Sequence, residues 1–354
     1  MTALSPSVTP PKRWQVTFVL TDACNMRCSY CTTAKRDVTI SSSHLGKVVE
    51  LLEKTSPAAL DLNFHGGEPT LAWEQVVELS DRLEPLLPHR TISRNMSTNG
   101  RLMTAERASF LAERGFNVRV SIDGRQEGHV RYRRGLAPRD TVAAERSYEE
   151  SLRGLDILVT AGARVAVNMV VTPDNAHDLV KNVAFLVRRG LVQLTVSPVV
   201  GMVWDNDALV ELDRQLNLLP AFWEHWIGEH PEIAVDVRRS LESEVRRAAY
   251  CEGDLPNQPD ARLLIVGADG RLYGDEPEVR TERHLQIGHL DDCEDLATLP
   301  LSERTAFQLM YDLGFYNEEK LLSVRRTHRL LRLRTAAMLE QLFGSGSQPP
   351  ASVP

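Results

Sequence analysis

Three of the five cysteines of this chain lie close together in one segment, Cys24-Asn-Met-Arg-Cys28-Ser-Tyr-Cys31. This C-x3-C-x2-C loop follows directly after an apolar run at residues 14–21. Thiolates are the ligands that hold iron–sulfur clusters, and a cubane cluster normally takes four of them. Three cysteines in one loop can reach three corners, which leaves the fourth iron open to a substrate or cofactor. The loop therefore indicates a catalytic iron–sulfur centre.

The spacing of this loop leaves two alternatives to an iron–sulfur cluster open. A structural zinc site needs a fourth cysteine or histidine nearby, and the nearest candidate, His44, lies at the predicted start of a helix. Thiols without any metal function are the second alternative. An odd number of cysteines with one tight group is not the pattern of a disulfide framework. The spacing favours the cluster over both alternatives.

The segment Gly66-Gly67-Glu68-Pro69 follows a second apolar run, at residues 60–65. Glycines allow a close approach of the backbone to a ligand, and the Glu68 carboxylate would complement an ammonium group. Taken alone, the segment could be a surface turn. Further polar residues lie at the ends of later strand-like runs, where Asn-Gly and Asp-Gly are also ordinary turn formers: Ser97, Asn99, Ser121 and Asp123. Asn168 lies within the fifth run.

Strand-like and helix-like patterns alternate over the first two thirds of the chain. Six strand-like runs are each followed by a helical pattern, and they cover residues 14–21, 60–65, 91–97, 117–122, 164–171 and 191–199. Strict alternation predicts parallel strands joined by right-handed crossovers. Six such units predict an α/β fold with a partial TIM-like (β/α)6 barrel, whose functional loops lie at the C-terminal ends of its strands. A doubly wound sheet is the alternative that periodicity does not exclude.

The rest of the chain differs in pattern, and we expect four segments in all. Residues 1–12 and 344–354 are rich in Pro, Ser and Gly and are predicted to be disordered. Residues 13–230 form the predicted barrel. Residues 231–343 form a smaller extension, with a hairpin over 261–277 and a long helix rich in arginine over 318–343. Gly115, Gly162 and Gly190 each stand where a helix should end.

Composition narrows the classes of function. The 354 residues are 42% hydrophobic and 25% charged, and no window approaches the roughly 20 apolar residues that cross a bilayer. The N-terminus has no apolar segment typical of a signal peptide, so we expect a cytoplasmic protein without a membrane partner. The net charge of −7 argues against a broad nucleic-acid surface.

The cysteine spacing, with Tyr30 before the third cysteine, resembles the signature of the radical S-adenosylmethionine (SAM) superfamily, and the Gly-Gly-Glu-Pro segment resembles its second motif. The resemblance implies one [4Fe-4S] cluster on Cys24, Cys28 and Cys31. It also implies that the reduced cluster cleaves SAM to a 5′-deoxyadenosyl radical, which takes a hydrogen atom from the substrate, and that flavodoxin or ferredoxin supplies the electron. The predicted SAM-binding residues are Tyr30, Gly66, Gly67, Glu68, Ser97, Asn99, Ser121, Asp123 and Asn168.

The extension resembles the SPASM or twitch segment of sulfatase and peptide maturases, through Cys251 and the sequence Val-Gly-Ala-Asp-Gly-Arg-Leu-Tyr that ends at Tyr273. Where relatives have a cysteine after this tyrosine, the chain has Gly274-Asp275-Glu276 instead. Cys251 and Cys293 are too few for an ordinary auxiliary cluster, even if His284 or Asp275 added a ligand. We expect a cap without metal, in which Asp275 and Glu276 are the candidate catalytic residues that move a proton or orient a substrate amine.

The substrate follows from none of these patterns. A peptide undergoing crosslinking, epimerisation or oxidation is the first hypothesis, although no leader-recognition domain is predicted before the barrel. A small molecule, such as an amino acid or an aminoglycoside precursor, is the second. An iron–sulfur sensor is the third, and the SAM motifs argue against it. The arginine-rich loop over 124–140 either closes over a substrate or is a solvated loop, and the arginines of the C-terminal helix either face solvent or dock an acidic leader peptide.

Overall fold

The computed structural model describes residues 13–31, 33–137, 140–199, 201–252, 261–274, 286–300 and 317–344. These residues form two compact units. The first unit contains residues 13–24 and 33–96 and the described residues between 261 and 300. The second unit contains residues 25–31, 97–252 and 317–344, with the gaps already given. The predicted extension is thus divided, because its strands belong to the first unit and its helices to the second.

Nine strands and nine α-helices lie in the described part of the chain. The strands are β1 (Arg13–Thr21), β2 (Ala59–Gly66), β3 (Thr91–Thr98), β4 (Asn117–Ser121), β5 (Arg164–Val171), β6 (Leu194–Pro198), β7 (Ala261–Val266), β8 (Arg271–Tyr273) and β9 (Gln286–His289). The helices are α1 (Ser42–Thr55), α2 (Trp73–Leu83), α3 (Ala105–Glu113), α4 (Gln126–Tyr132), α5 (Thr141–Thr160), α6 (Leu179–Val187), α7 (Asn206–Glu229), α8 (Ala234–Glu252) and α9 (Glu318–Phe343).

Strand β1 is the centre of the sheet in the first unit. It pairs in parallel with β2 on one side and with β7 on the other, and β3 continues the sheet in parallel from β2. Beyond β7, strands β8 and β9 add antiparallel pairs. Almost every residue of β1 is buried, whereas β2 buries every second residue. The burial of β1 on both faces is that of an interior strand of a parallel sheet.

The second unit contains three parallel strands, since β5 pairs in parallel with both β4 and β6. The predicted helix ends are confirmed, because Gly115, Gly162 and Gly190 have φ angles of +67°, +71° and +80°. These left-handed conformations favour glycine and end α3, α5 and α6. The six predicted β–α repeats are present in order, and the predicted hairpin is confirmed for its described part as β7 and β8.

One predicted loop is in fact partly helical. The segment 124–140 has the sequence pattern of a loop, but it contains α4. Two buried side chains three residues apart, His129 and Tyr132, give this short helix an inner face. Seven residues are too few for an apolar repeat to stand out among the surrounding arginines, which is why the pattern does not predict it.

The long C-terminal helix α9 confirms the predicted one and packs in the second unit against α7 and α8. Arg334 of α9 forms two bonds with Asp213 of α7, of 2.6 and 3.0 Å. Arg325, Arg326 and Arg329 are exposed, as a solvated helix face requires. Among the described residues, no helix combines the length and apolarity that a membrane crossing needs.

Candidate active site

The cysteine loop connects the two units along the chain, and its second half is held in the second unit. Backbone N–H groups of Arg27 and Ser29 donate to the carbonyls of Arg134 and Tyr132, at 2.8 and 2.9 Å. The structure has all three cysteines as thiols rather than disulfides; Cys31 is exposed, and Cys24 and Cys28 are partly exposed. Three accessible thiols in one anchored loop are the donor set that a cubane cluster with one open iron needs.

The first half of the loop is held in the first unit by the turn after β2. Gly67 N–H donates to the Thr21 carbonyl at 2.7 Å, and Glu68 N–H donates to the Ala23 carbonyl at 2.9 Å. A Cβ atom on Gly67 would lie 2.3 Å from the Ala23 oxygen, and one on Gly66 would lie 2.5 Å from the Thr21 oxygen. Both glycines are therefore required for backbone packing directly before Cys24. The predicted approach of SAM to this turn stays a prediction.

Glu68 has a structural partner in addition to its predicted ligand. Its side chain is almost fully buried, and Oε1 accepts hydrogen bonds from Thr70 N–H at 3.1 Å and from Thr70 Oγ1 at 2.6 Å. These bonds cap the 3₁₀ helix Pro69–Ala72. The cap fixes the orientation of the carboxylate, and its contact with an ammonium group stays a prediction.

Asp123 lies at the centre of a buried hydrogen-bond network in the second unit. Tyr30 Oη donates to its Oδ2 at 2.6 Å, while Arg133 Nε and the Val170 N–H donate to its Oδ1, each at 2.9 Å. Asp123 has no exposed surface. The Arg133 guanidinium also lies 5.4 Å from the centre of the Tyr30 ring. Asp123 and Tyr30, both predicted SAM ligands, are thus joined to each other, and their predicted contacts with SAM stay predictions.

The protonation states of this network are fixed by its surroundings. Burial, the largest effect, raises the pKa of Tyr30 well above its ordinary value, so the phenol stays neutral and donates. Burial acts to lower the pKa of Arg133, but the neighbouring Asp123 carboxylate reverses this, and the net pKa is raised. Arg133 therefore stays charged opposite Asp123.

Asn99 holds the residue that follows Cys24. Its Nδ2 donates to Asn25 Oδ1 at 2.7 Å, and its Oδ1 accepts from Arg101 N–H at 3.0 Å. Arg101 in turn donates to the Asn25 carbonyl and pairs with Glu150 at 2.6 Å. The sequence pattern predicts Asn99 at a strand end but gives no sign of Asn25 or Arg101 as its partners.

The remaining predicted residues lie in strands β3, β4 and β5. Ser121 and Asn168 are register partners on the neighbouring strands β4 and β5, and Asn168 Oδ1 accepts from Ser197 Oγ at 2.8 Å. Ser97 is partly buried, one residue before the end of β3. The structure thus brings Ser121 and Asn168 together in the second unit. Their predicted contacts with SAM stay predictions.

Sequence reasoning missed two residues of the Asp123 network as site components. His129 is fully buried, and its Nδ1 accepts a hydrogen bond from Asp123 N–H at 3.3 Å. Burial lowers the pKa of His129 to about 3, so the ring is neutral. Arg133 is also buried and forms the ion pair with Asp123. The available signal was an acidic residue followed within ten positions by His and Arg, in a segment whose pattern predicts a loop.

Several predicted residues of the extension lie outside the described part of the chain. Asp275, Glu276 and His284 are among them. The predicted disordered residues 1–12 and 345–354 also lie outside the described part. Cys251 lies in α8, but its side chain is outside the described part. Cys293 is buried, and this burial raises the pKa of its thiol. An extension without a second cluster therefore stays a prediction.

Known sequences match this chain in two different ways. Residues 18–186 match the family model of the radical SAM superfamily. The chain is 23% identical over 298 residues to the serine-type anaerobic sulfatase-maturating enzyme of Klebsiella aerogenes. This alignment covers 80% of this chain and 71% of that protein. It is 34% identical over 181 residues to GTP 3′,8-cyclase 2 of Mycobacterium tuberculosis (strain ATCC 25618 / H37Rv), and so spans only 46% of that relative.

Among solved structures, native anSMEcpe with bound AdoMet and the Kp18Cys peptide has a TM-score of 0.62 and 17% sequence identity, over 91% of this chain and 84% of that one. At this identity the likeness shows the fold, which is the predicted partial TIM-like barrel. The superfamily uses a [4Fe-4S] cluster and SAM, and the anchored loop of three thiols fits the cluster. Residues 18–186 thus form a radical SAM domain, and this chain is a radical SAM enzyme.

Proposed function

We propose that this enzyme modifies a peptide by removing hydrogen from one of its residues. The length of one match carries the proposal. The radical SAM domain model ends at residue 186, whereas the alignment with the sulfatase-maturating enzyme extends over 298 residues. That alignment therefore includes much of the chain outside the domain. The alignment with the GTP cyclase covers 181 residues, which is close to the length of the domain itself.

In the proposed reaction, the residues described above hold the cysteine loop in position. When bound, the cluster and SAM supply one-electron cleavage of SAM and removal of hydrogen from the substrate. The Gly66–Gly67 turn fixes the backbone before Cys24, and the Asn99–Asn25 bond fixes the residue after it. The Asp123 network fixes Tyr30, which precedes Cys31. Ligands held before cofactor binding lose less freedom on binding, so these contacts would favour binding of the cluster by the three cysteines.

Two further parts of the proposal concern residues and partners. Asp275 and Glu276 are proposed as the groups that take a proton from the substrate or orient its amine. A flavodoxin or ferredoxin is the proposed electron donor. A small-molecule substrate is the second candidate, and the higher identity to a GTP 3′,8-cyclase favours it.

One experiment separates the two candidates. Reconstituted enzyme is reduced anaerobically with SAM and is offered either sulfatase-derived peptides with deuterated serine or cysteine, or deuterated GTP. The proposal expects deuterium in 5′-deoxyadenosine and a changed peptide mass only with peptides. Deuterium transfer from GTP, together with unchanged peptides, would support the small-molecule candidate instead.

A further inference from the structure

A second group of metal-ligand side chains lies in the first unit and includes none of the three loop cysteines. His44, His289 and Asp291 bring their ligand atoms within 4.8 Å of one another. His44 Nε2 lies 3.2 Å from Asp291 Oδ1, and His289 Nδ1 lies 3.4 Å from Asp291 Oδ2. One carboxylate thus faces an imidazole nitrogen with each of its two oxygens.

The hydrogen bonds of His289 determine which of its nitrogens carries a lone pair. Its Nε2 lies 3.0 Å from the Asp269 carbonyl, which can only accept, so Nε2 carries the hydrogen. Its Nδ1 accepts from the Asp291 N–H at 3.2 Å and therefore presents a lone pair. That lone pair and a carboxylate oxygen face each other. His44 Nε2 and Asp291 Oδ1 lie at hydrogen-bond distance, 3.2 Å, so an ion bound here would take the place of a proton between these two atoms.

The outer contact of His289 is the one that metal-bound histidines make. Such histidines almost always donate their second N–H to a carboxylate or a backbone carbonyl, which fixes both the tautomer and the ring orientation. The Nε2–H bond to the Asp269 carbonyl is a bond of this kind. This contact supports a metal-binding role for His289 independently of its distance to Asp291.

Gly270 fixes the His44 ring from the other side. It has a φ of +83°, and a Cβ atom there would lie 2.5 Å from His44 Cε1. The turn between β7 and β8 therefore packs directly on the ring. The two histidine rings are also in edge contact, with centroids 5.6 Å apart. His44 lies in α1, His289 at the end of β9 and Asp291 in the 3₁₀ helix Leu290–Asp292. Each side chain is thus carried by an element of regular secondary structure.

We propose that His44 Nε2, His289 Nδ1 and an Asp291 carboxylate oxygen bind one zinc ion, with water as the fourth ligand. Two imidazoles and one carboxylate are an established donor set for zinc with an open position. Ligand atoms at about 2.1 Å from a tetrahedral ion lie about 3.4 Å apart, close to the separations at Asp291 of 3.2 and 3.4 Å. Zinc is also preferred over ferrous iron by such donors.

Binding the ion requires little rearrangement. The two histidine nitrogens, no more than 4.8 Å apart, must approach by about an ångström to reach tetrahedral spacing. His289 Nδ1 exchanges its 3.2 Å bond to the Asp291 N–H for the bond to zinc. Asp291 is largely exposed, so water can take over this N–H.

The test uses the full-length protein, so that zinc on the cysteines can be recognised. The protein is reconstituted anaerobically with iron and sulfide, desalted, given one equivalent of zinc and desalted again. Zinc content is measured, together with zinc-edge X-ray absorption. The expected result is about one zinc per chain, with nitrogen or oxygen at about 2.0–2.1 Å, outer scattering from imidazole and no sulfur at about 2.3 Å.

Variants then assign the ligands through zinc affinity, measured by competition with a chelating dye. Asp291→Asn and His289→Ala should each weaken binding at least tenfold, since even changes to outer contacts of zinc ligands cost 10–100-fold. The Asp291 side chain is 70% exposed, so its variant should fold normally. His230→Ala is the control, because His230 faces Glu232 at 3.4 Å and, among the described residues, belongs to no group of three metal-ligand side chains. Sulfur around the zinc, iron at these residues or unchanged affinity in both variants would overturn the proposal.

Discussion

The charged side chain of Asp123 is fully buried. Hydrogen-bond donors from three segments of the chain stabilise its charge. Removing one partner of a buried ion pair leaves an uncompensated charge, which costs more than the pair itself contributes. Arg133 and Tyr30 therefore matter for the stability of the folded protein as much as Asp123 does. Changes at these residues should act on stability as well as on activity.

Arg133→Met should destabilise the protein by about 3–5 kcal/mol, because Asp123 then remains buried without its cation. Urea unfolding followed by circular dichroism measures the change. Arg131→Met is the matched control, since Arg131 pairs with Asp174 on the surface and such pairs contribute about 0–1 kcal/mol. Equal effects of the two substitutions would contradict the buried ion pair.

His129 should make the protein less stable in mild acid. Its folded pKa of about 3 lies below the ordinary value of 6.5, so between these values the unfolded chain binds a proton that the folded chain does not. Stability therefore falls as the pH falls below 6.5, and His129 accounts for about 2 kcal/mol between pH 7.5 and pH 5. His328, whose pKa burial lowers to about 4, adds loss of the same sign.

The measurement compares urea unfolding at the two pH values in the wild type and in His129→Asn. Asparagine keeps an acceptor for the Asp123 N–H but does not titrate. The variant should lose less stability on acidification by about 2 kcal/mol. An identical pH dependence in both proteins would show that His129 is protonated in the folded state.

The elements divide into those that local pattern predicts and those that only packing reveals. Strands β1 to β6 and the ends at Gly115, Gly162 and Gly190 follow from apolar periodicity and from the left-handed conformation of glycine. Helix α4 is too short to show a period. The pairing of β7 with β1 joins residues far apart in sequence, and the Asp123 network depends on such contacts too. Residue types therefore predicted candidates for the site, but could not separate anchors from ligands.

The turn after β2 yields a prediction at the scale of elements. Gly67→Ala should lower the iron content as well as SAM cleavage, because the added Cβ meets the Ala23 carbonyl one residue before Cys24. Iron analysis of the reconstituted protein measures this. Gly228→Ala in α7 is the control, since its Cβ would meet no atom within 4 Å. Full iron content in Gly67→Ala would mean that the turn does not constrain the cluster loop.

At the scale of the whole molecule, we expect the number of clusters to distinguish this chain from enzymes with auxiliary clusters. We expect about four iron and four sulfide per chain, the content of a single cubane. Cys28→Ala should abolish the visible absorption of the cluster, whereas Cys251→Ala with Cys293→Ala should leave the iron content unchanged. A loss of about half the iron in the double variant would establish an auxiliary cluster and contradict this expectation.

The parallel pairing of β1 with β7 also has a consequence for biosynthesis. Register joins Arg13 to Ala261, so one edge of β1 waits for a partner that the ribosome makes roughly 250 residues later. At about 5–20 residues per second this takes roughly 12–50 s. During that time a highly apolar strand presents unpaired N–H and carbonyl groups, which other nascent chains can bind. Translational pauses before residue 261 should therefore promote aggregation, and chaperones that shield β1 should counteract it.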